Sequence, residues 1–178
     1  MGSTPSPEPV PAEPKTSRPA LTFAYFGEFA SHPGLLIGGE LPLAESGGHR
    51  LFAGANVGTY WHQRHSVGAF AGAELGYRHT FNFGLRAELL AGAGYLRTFL
   101  AAPVYAPDAN GTMTEVQDGG RSALMPSTAF GLGWHFDRAR NGPLAAFARV
   151  QLFWQYPYNN AALIHPALQV GLNWHFGG

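Results

Sequence analysis

The stretch that decides the fold is Leu168-Gln169-Val170-Gly171-Leu172-Asn173-Trp174-His175-Phe176, near the end of a chain of 178 residues. Large apolar side chains alternate in it with glycine and polar side chains. Residues 66–78 and 124–136 show the same alternation. Because successive side chains of a strand point to opposite faces, this period of two predicts β-strands with one bulky apolar face and one small or polar face.

The composition excludes several classes of protein. Only 12% of the residues are charged, about half of what a soluble domain usually carries. Eleven basic residues cancel eleven acidic ones, so the chain offers no basic stripe for a nucleic acid. The absence of cysteine excludes a disulfide framework and a thiol nucleophile. No apolar run is long enough for a membrane-spanning helix.

Eight runs with a period of two are predicted as strands, at 20–29, 34–44, 49–62, 65–79, 83–100, 121–137, 143–157 and 164–176. Most reach the roughly 9–11 residues that a tilted strand needs to cross a bilayer. The glycine-rich face has too few charges for a solvated surface, so it faces a narrow interior and the bulky face points to lipid. Inside hydrocarbon every backbone N–H and C=O group must be paired within the protein, which strands achieve only in a closed barrel. We therefore predict an all-β fold: a transmembrane antiparallel up-and-down β-barrel of about eight strands.

The chain divides into a linker and a barrel. Residues 1–19 hold six of the fourteen prolines and no aromatic residue, which predicts a disordered, extended linker before a barrel of residues 20–178. The start at Met1-Gly2 suggests that an export signal has been removed. The one long predicted connection, 101–121, lies opposite the termini, and outer-membrane barrels carry their long loops outside the cell. We therefore predict periplasmic termini and a periplasmic linker in a bacterial outer membrane.

Aromatic side chains give a second test of this orientation, because transmembrane barrels carry an aromatic girdle at each interface. With strands that reverse direction at each turn, the predicted girdle residues fall into two groups. One rim carries Tyr77, Trp134, Trp174 and Phe176, and the other carries Trp61, Tyr95 and Trp154.

These features resemble the small eight-stranded outer-membrane barrels, the family of the OmpA transmembrane domain and OmpX. The resemblance covers residues 20–178 and rests on the strand count, the girdles and the last strand, which ends in Trp174-His175-Phe176. It implies a monomer surrounded by the lipid bilayer and lipopolysaccharide, with the barrel-assembly machinery as the partner that reads the last strand. Gly177-Gly178 after the aromatic residue departs from the family pattern of a terminal phenylalanine.

The predicted inner face collects most of the charge of the strands. A charge inside a narrow barrel must be paired or solvated, because uncompensated burial is costly. We interpret these side chains as a structural network that fills the lumen. The alternative, proposed for the OmpA family, is a narrow pore that opens when ion-pair partners are exchanged. The predicted network consists of Glu28, Glu40, Glu74, Arg78, Arg86, Glu88 and Arg149.

Two inward histidines, His135 and His175, are predicted at the periplasmic mouth, where nearby polar groups would be their partners. The eight histidines show no tight metal-ligand spacing. We therefore expect neither a metal nor another cofactor.

Catalysis is a further alternative, because some barrels of this family modify lipid A with a serine, a histidine and an acid. Ser66 follows His65 at the outer rim, but neighbouring residues of a strand point to opposite faces, so His65 is poorly placed to activate Ser66. The family's His-x-Ser-Asn pattern is absent. The residues thus favour a structural or interaction scaffold, whose loops and linker contact a periplasmic or surface protein, over an enzyme.

Overall fold

The computed structural model describes residues 18–29, 31–63, 65–136, 142–159 and 161–176. Most of the predicted linker, most of the turn 137–142 and Gly177-Gly178 lie outside these residues. Within them, no helix is long and apolar enough to cross a membrane. The strands are β1 (Ala20–Glu28), β2 (Gly34–Ser46), β3 (His49–His62), β4 (Ser66–Thr80), β5 (Leu85–Leu100), β6 (Val104–Pro107), β7 (Met113–Val116), β8 (Arg121–Leu124), β9 (Ser127–His135), β10 (Leu144–Tyr158) and β11 (Ala161–His175).

The long strands close into an antiparallel ring of eight. Each of β1 to β4 pairs with the next strand, β5 pairs with β8 and β9, and β10 lies between these two and β11. Closure is made by β1 and β11, which pair from Ala20 with His175 to Glu28 with Ala167. The ring leaves no free edge strand, as a barrel in hydrocarbon requires.

The barrel has two distinguishable ends. The termini end carries both chain ends and the turns at 46–49 and 80–85. The loop end carries the turns at 28–34, 62–66 and 158–161 and the long connection between Leu100 and Arg121.

The sixth transmembrane run differs from the prediction in one detail. It is not continuous from 121 to 137 but consists of β8 and β9, separated by Met125 and Pro126. Proline has no N–H to give to a neighbouring strand, yet Met125 exchanges both backbone hydrogen bonds with Gly94 and the carbonyl of Pro126 accepts one from Trp154. The wall of the barrel therefore stays closed through the interruption.

The connection 101–121 also contains more structure than its sequence predicted. Strands β6 and β7 form a separate two-stranded hairpin, with Val104 opposite Val116 and Pro107 opposite Met113. The Asp108 carboxylate accepts hydrogen bonds from the backbone N–H groups of Asn110 and Thr112, which fixes the turn.

The outer face of the barrel is an apolar belt. Leucine, valine, isoleucine and phenylalanine side chains of every transmembrane strand stand exposed on it. A belt of this kind can be covered only by hydrocarbon or by another apolar surface. The predicted girdle residues lie on the same face: Trp61, Tyr77, Tyr95, Trp134, Trp174 and Phe176 are exposed, and Trp154 is partly exposed.

The inner face is filled by pairing large rings with glycines. Phe52 lies opposite Gly76 and Tyr60 opposite Gly68 on β3 and β4. A Cβ atom on Gly76 would come within 2.1 Å of the Phe52 ring, and one on Gly68 within 2.3 Å of the Tyr60 ring. The glycines thus supply the room in which the aromatic rings lie against the neighbouring strand.

Candidate functional site

The centre of the lumen holds a buried network of ion pairs. Arg78 donates from Nη1 and Nη2 to both carboxylate oxygens of Glu40, at 2.8 and 2.9 Å, and from Nε to Oε2 of Glu88 at 2.8 Å. Arg149 joins the same two carboxylates, at 2.6 Å from Glu88 and 3.2 Å from Glu40. All four side chains are almost completely buried, so the charges compensate each other rather than being solvated.

Two further charges complete this network. Arg86 donates to Oδ1 of Asn173 at 3.0 Å and lies 3.5 Å from Glu88. Glu74 lies 3.9 Å from Arg149. Three carboxylates and three guanidinium groups therefore balance, and we refer to Glu40, Glu74, Arg78, Arg86, Glu88 and Arg149 as the central network.

The strand register explains how the central network can form. Arg78 and Glu88 face each other directly on β4 and β5. Glu88 and Arg149 are both paired with Gly131, one from each side of β9. A Cβ on Gly131 would come within 2.8 Å of the Arg149 side chain and 2.9 Å of the Glu88 side chain. Glycine at this position lets the two charged side chains meet above the strand between them.

Glu28, the seventh predicted member, is placed elsewhere. It is the last residue of β1 and lies at the loop end, so it shares the inner face with the central network but not its height. Its carboxylate is fully buried and is bound by imidazoles. Oε2 contacts Nδ1 of His32 at 2.7 Å and Nε2 of His62 at 2.6 Å, and Oε1 contacts Nδ1 of His165 at 2.6 Å.

These four residues, Glu28, His32, His62 and His165, form what we call the mouth cluster. They come from four separate segments: the end of β1, the turn before β2, the end of β3 and the first third of β11. The rings of His32 and His62 are stacked, with centroids 3.7 Å apart and planes 10° apart. The cluster was missed from the sequence because no two of its histidines lie close along the chain. The one available signal was that all four residues lie in or near the turns of the loop side.

An apolar layer separates the mouth cluster from the central network. Phe26 packs against Phe70 and Phe153, with ring centroids 4.8 and 6.1 Å apart, and against Tyr60 at 6.0 Å. These rings belong to one buried cluster, which we call the aromatic plug. The other large side chains of the plug are Leu36, Leu96, Met125 and Phe147.

The plug is in contact with both polar layers. On the loop side, Phe153 stacks on His165 with ring centroids 4.7 Å apart, and Tyr60 lies 5.7 Å from His62. On the termini side, the Arg149 guanidinium lies over the Phe147 ring at 4.2 Å. The described side chains therefore fill the lumen in three layers, charged, apolar and imidazole-carboxylate.

The two histidines predicted at the mouth of the termini end are brought together. The rings of His135 and His175 have centroids 5.6 Å apart. Nδ1 of His135 lies 3.1 Å from the carbonyl oxygen of Phe136, whereas Nδ1 of His175 is buried without a hydrogen-bond partner among the described residues.

The Ser66 region does not assemble a catalytic constellation in the described residues. His65 is exposed and lies in the turn before β4. Its backbone N–H donates to the carbonyl of His62. Ser66 is the first residue of β4 and is paired with His62 and Leu100 in the ring, at a strand position eight residues from Glu74.

Comparison with known proteins finds the same architecture. No protein-family model matches the sequence, and no curated protein does. Among solved structures, the Neisserial surface protein A matches with a TM-score of 0.54 and 10% identity over 89% of this chain and 95% of that one. The N-terminal β-barrel domain of Pseudomonas aeruginosa OprF matches with a TM-score of 0.52 and 18% identity, over 89% and 98% of the two chains. The outer membrane enzyme PagL matches with a TM-score of 0.52 and 12% identity, over 88% and 99%.

The chain thus has the fold of the small eight-stranded outer-membrane β-barrels, to which the OmpA transmembrane domain and OmpX belong. The prediction of an all-β transmembrane barrel is confirmed. At these identities the likeness establishes the fold and leaves the activity to be argued from the side chains themselves.

Proposed function

We propose that this protein is a closed outer-membrane barrel that serves as an anchored interaction scaffold, and not as a channel. The observation that carries the proposal is the aromatic plug. Phe26 and Phe153 are fully buried and Phe70 nearly so, and their rings meet in the middle of the lumen. A water path would have to pass a layer of packed rings that contact each other across the lumen, from strands that are not neighbours in the sheet.

The plug bears directly on the gated-pore alternative. Exchange of partners within the central network would open only the layer that the network itself occupies. The rings of Phe26, Phe70 and Phe153 have no charged partner to exchange, and moving them would require several large side chains to leave their packed positions together. A gate built from the Glu and Arg side chains would therefore still end on a closed apolar layer.

The part of the barrel suited to contact a partner is the hairpin of β6 and β7. It extends from the loop end and carries the exposed apolar side chains of Tyr105, Met113 and Val116. Recognition residues are commonly carried by loops on a rigid scaffold. We propose a surface protein as the partner of this hairpin and a periplasmic protein as the partner of the N-terminal linker.

The orientation in the membrane is part of the same proposal. The longest connection of the chain lies at the loop end, and barrels of this fold class have short periplasmic turns and longer extracellular loops. We therefore propose that the termini end faces the periplasm and that lipopolysaccharide surrounds the loop end. Protease added to intact cells should cleave within residues 101–120 and leave an N-terminal epitope tag intact. Cleavage of the tag alone would reverse the orientation.

Conductance in planar lipid bilayers tests the closed lumen. The refolded full chain should insert and give no steps of ionic current. Regular single-channel steps from the wild-type protein would overturn the proposal of a closed scaffold.

A further inference from the structure

We propose that Glu28, His32 and His62 form a binding site for a divalent transition-metal ion of the zinc type at the loop end of the barrel. His165 acts there as a positioning residue for Glu28. This inference goes beyond the scaffold function and does not depend on it, because a site in the mouth can bind metal whether or not the lumen conducts.

The donor atoms of the three residues already converge. Nδ1 of His32 and Nε2 of His62 both contact the same oxygen of Glu28, at 2.7 and 2.6 Å. One ligand atom from each residue lies within 4.8 Å of the other two. Ligand atoms of a tetrahedral zinc ion are about 3.3 Å apart, given bonds of about 2.0–2.2 Å to imidazole nitrogen and carboxylate oxygen. The two imidazole nitrogens lie 2.7 and 2.6 Å from Oε2 of Glu28. A small widening of these two contacts therefore brings them to the spacing that one zinc ion requires.

The charge of the cluster also favours a cation. All three ion-pair partners that the described residues give to Glu28 are imidazoles, which carry no charge in the form that binds metal. With the imidazoles in that form, the buried carboxylate has no counter-charge among the described residues that contact it. A divalent ion supplies that counter-charge and uses the lone pairs of both stacked rings.

The surrounding structure holds the donors in place. His32 is fixed by a pair of backbone hydrogen bonds with Glu28, at 3.1 and 3.0 Å, which close the turn between β1 and β2. Phe29 in that turn has a φ of +48°, a conformation that a non-glycine residue adopts only where the surrounding structure requires it. His32, the metal ligand that the turn provides, is therefore held against the end of β1 before any ion binds.

His165 orients the carboxylate. Its Nδ1 holds Oε1 of Glu28 at 2.6 Å, so that Oε2 is the oxygen that faces His32 and His62. Its ring is stacked flat on Phe153, with planes 4° apart. Ligating carboxylates in metal sites are typically held by a hydrogen bond of this kind from an outer residue.

The ligand set and the access route define the class of ion. Two imidazoles and one carboxylate suit zinc, copper and nickel, whereas calcium and magnesium prefer oxygen ligands alone. The side chains of His32 and His62 are 28% and 23% exposed, so an ion can enter from the loop end. The aromatic plug lies beneath the cluster, so the ion must leave by the same mouth. The site is built to hold an ion and not to pass it through the barrel.

Calorimetric titration of the refolded, metal-free full chain with Zn²⁺, in detergent without lipopolysaccharide, tests the site. We expect one saturable site per chain, with no comparable binding of Mg²⁺ or Ca²⁺. His32→Ala should weaken the affinity for Zn²⁺ at least tenfold. Since His32 lies in a turn and not in the barrel wall, this variant should fold. His65→Ala, which removes an exposed histidine at the same end of the barrel, is the matched control and should bind as the wild type does.

Binding of Co²⁺ to the wild-type protein gives a second readout that needs no variant. A four-coordinate site with nitrogen ligands should give strong visible absorption bands, and added Zn²⁺ should remove them. The proposal is overturned if the wild type shows no saturable site, if Co²⁺ shows only weak bands, or if His32→Ala binds Zn²⁺ as the wild type does. The last result would place the binding elsewhere, as at the exposed pair of His49 and His79.

Discussion

Arg78 and Glu88 face each other directly across β4 and β5, and Nε of Arg78 donates to Oε2 of Glu88 at 2.8 Å in the centre of the lumen. The same carboxylate is bound through its other oxygen by Arg149. Glu88 thus joins the two buried guanidinium groups of Arg78 and Arg149, as Glu40 also does. Its negative charge compensates both, and the network depends on it more than on any outer ion pair.

Glu88→Gln should therefore destabilise the barrel strongly. The amide has the same shape but no charge, so Arg78 and Arg149 are left with less compensation in a buried place. Loss of one partner from a buried ion pair typically costs about 3–5 kcal/mol of the free energy of unfolding. The change in the free energy of unfolding can be measured by reversible unfolding in urea, in detergent or in liposomes.

The matched control for that experiment is Glu45→Gln. Glu45 pairs with Arg50 at 2.9 Å, but this pair is exposed, and exposed pairs contribute about 0–1 kcal/mol. If Glu88→Gln lowered the free energy of unfolding as little as Glu45→Gln does, water or mobile ions would have to compensate the charges of the central network.

Gly68→Ala tests the pairing of rings with glycines. The added methyl group would lie 2.3 Å from the Tyr60 ring, and Tyr60 is buried in the plug, so the ring cannot move away freely. Overpacking of this kind costs about 1–3 kcal/mol. Gly39→Ala is the control, because its nearest neighbour would be 3.9 Å away. Equal stability of the two variants in urea would show that the rings shift easily and that the plug is loosely packed.

The sequence predicted the face on which each side chain lies better than its height in the barrel. The alternation of residues 168–176 places every side chain inside or outside, because the period of a strand is two. Height depends on the register of paired strands and on barrel closure. Glu28 was accordingly grouped with Arg78 and Glu88, although the end of β1 lies at the other side of the aromatic plug.

The mouth cluster shows why some sites cannot be predicted from the sequence. His32 and His165 are 133 residues apart in numbering, and they approach the same carboxylate only because β1 and β11 close the ring. The contact of Phe70 with Phe26 likewise depends on packing across the lumen, between strands that are not neighbours in the sheet. Contacts across the lumen follow from closure and strand tilt, which no periodicity reports.

Leu132→Arg tests whether the outer belt lies in lipid. Leu132 is exposed near the middle of β9, where a charged side chain would meet hydrocarbon. Arginine at the bilayer midplane of a barrel costs about 2–4 kcal/mol. The variant should therefore fold less stably in phospholipid vesicles, as measured by urea titration. Tyr105→Arg, at an equally exposed site in the β6–β7 hairpin, should have little effect. If both variants were equally stable, the belt around Leu132 would not lie in hydrocarbon.

The last prediction concerns the base of the β6–β7 hairpin, where Asp118 anchors the long connection to the barrel. Its carboxylate accepts hydrogen bonds from the backbone N–H groups of Leu100, at 2.5 Å, and Gly120, at 3.0 Å. These hydrogen bonds hold the pKa of Asp118 below the usual value of an aspartate, and the one from Leu100 contributes most. A lowered pKa means that the anchoring is fully present above the pKa of the unfolded chain and is lost as the pH falls through the lowered value.

Hydrogen exchange at the amides of Leu100 and Gly120 should therefore stay protected at neutral and mildly acidic pH and lose protection only in strong acid. Asp118→Ala should remove the protection at neutral pH while leaving the fold of the barrel unchanged. Asp108→Ala is the control, because it loosens only the turn of the hairpin, where Asp108 accepts from Asn110 and Thr112. Protection at Leu100 that survives Asp118→Ala would show that the carboxylate does not hold the base of the loop.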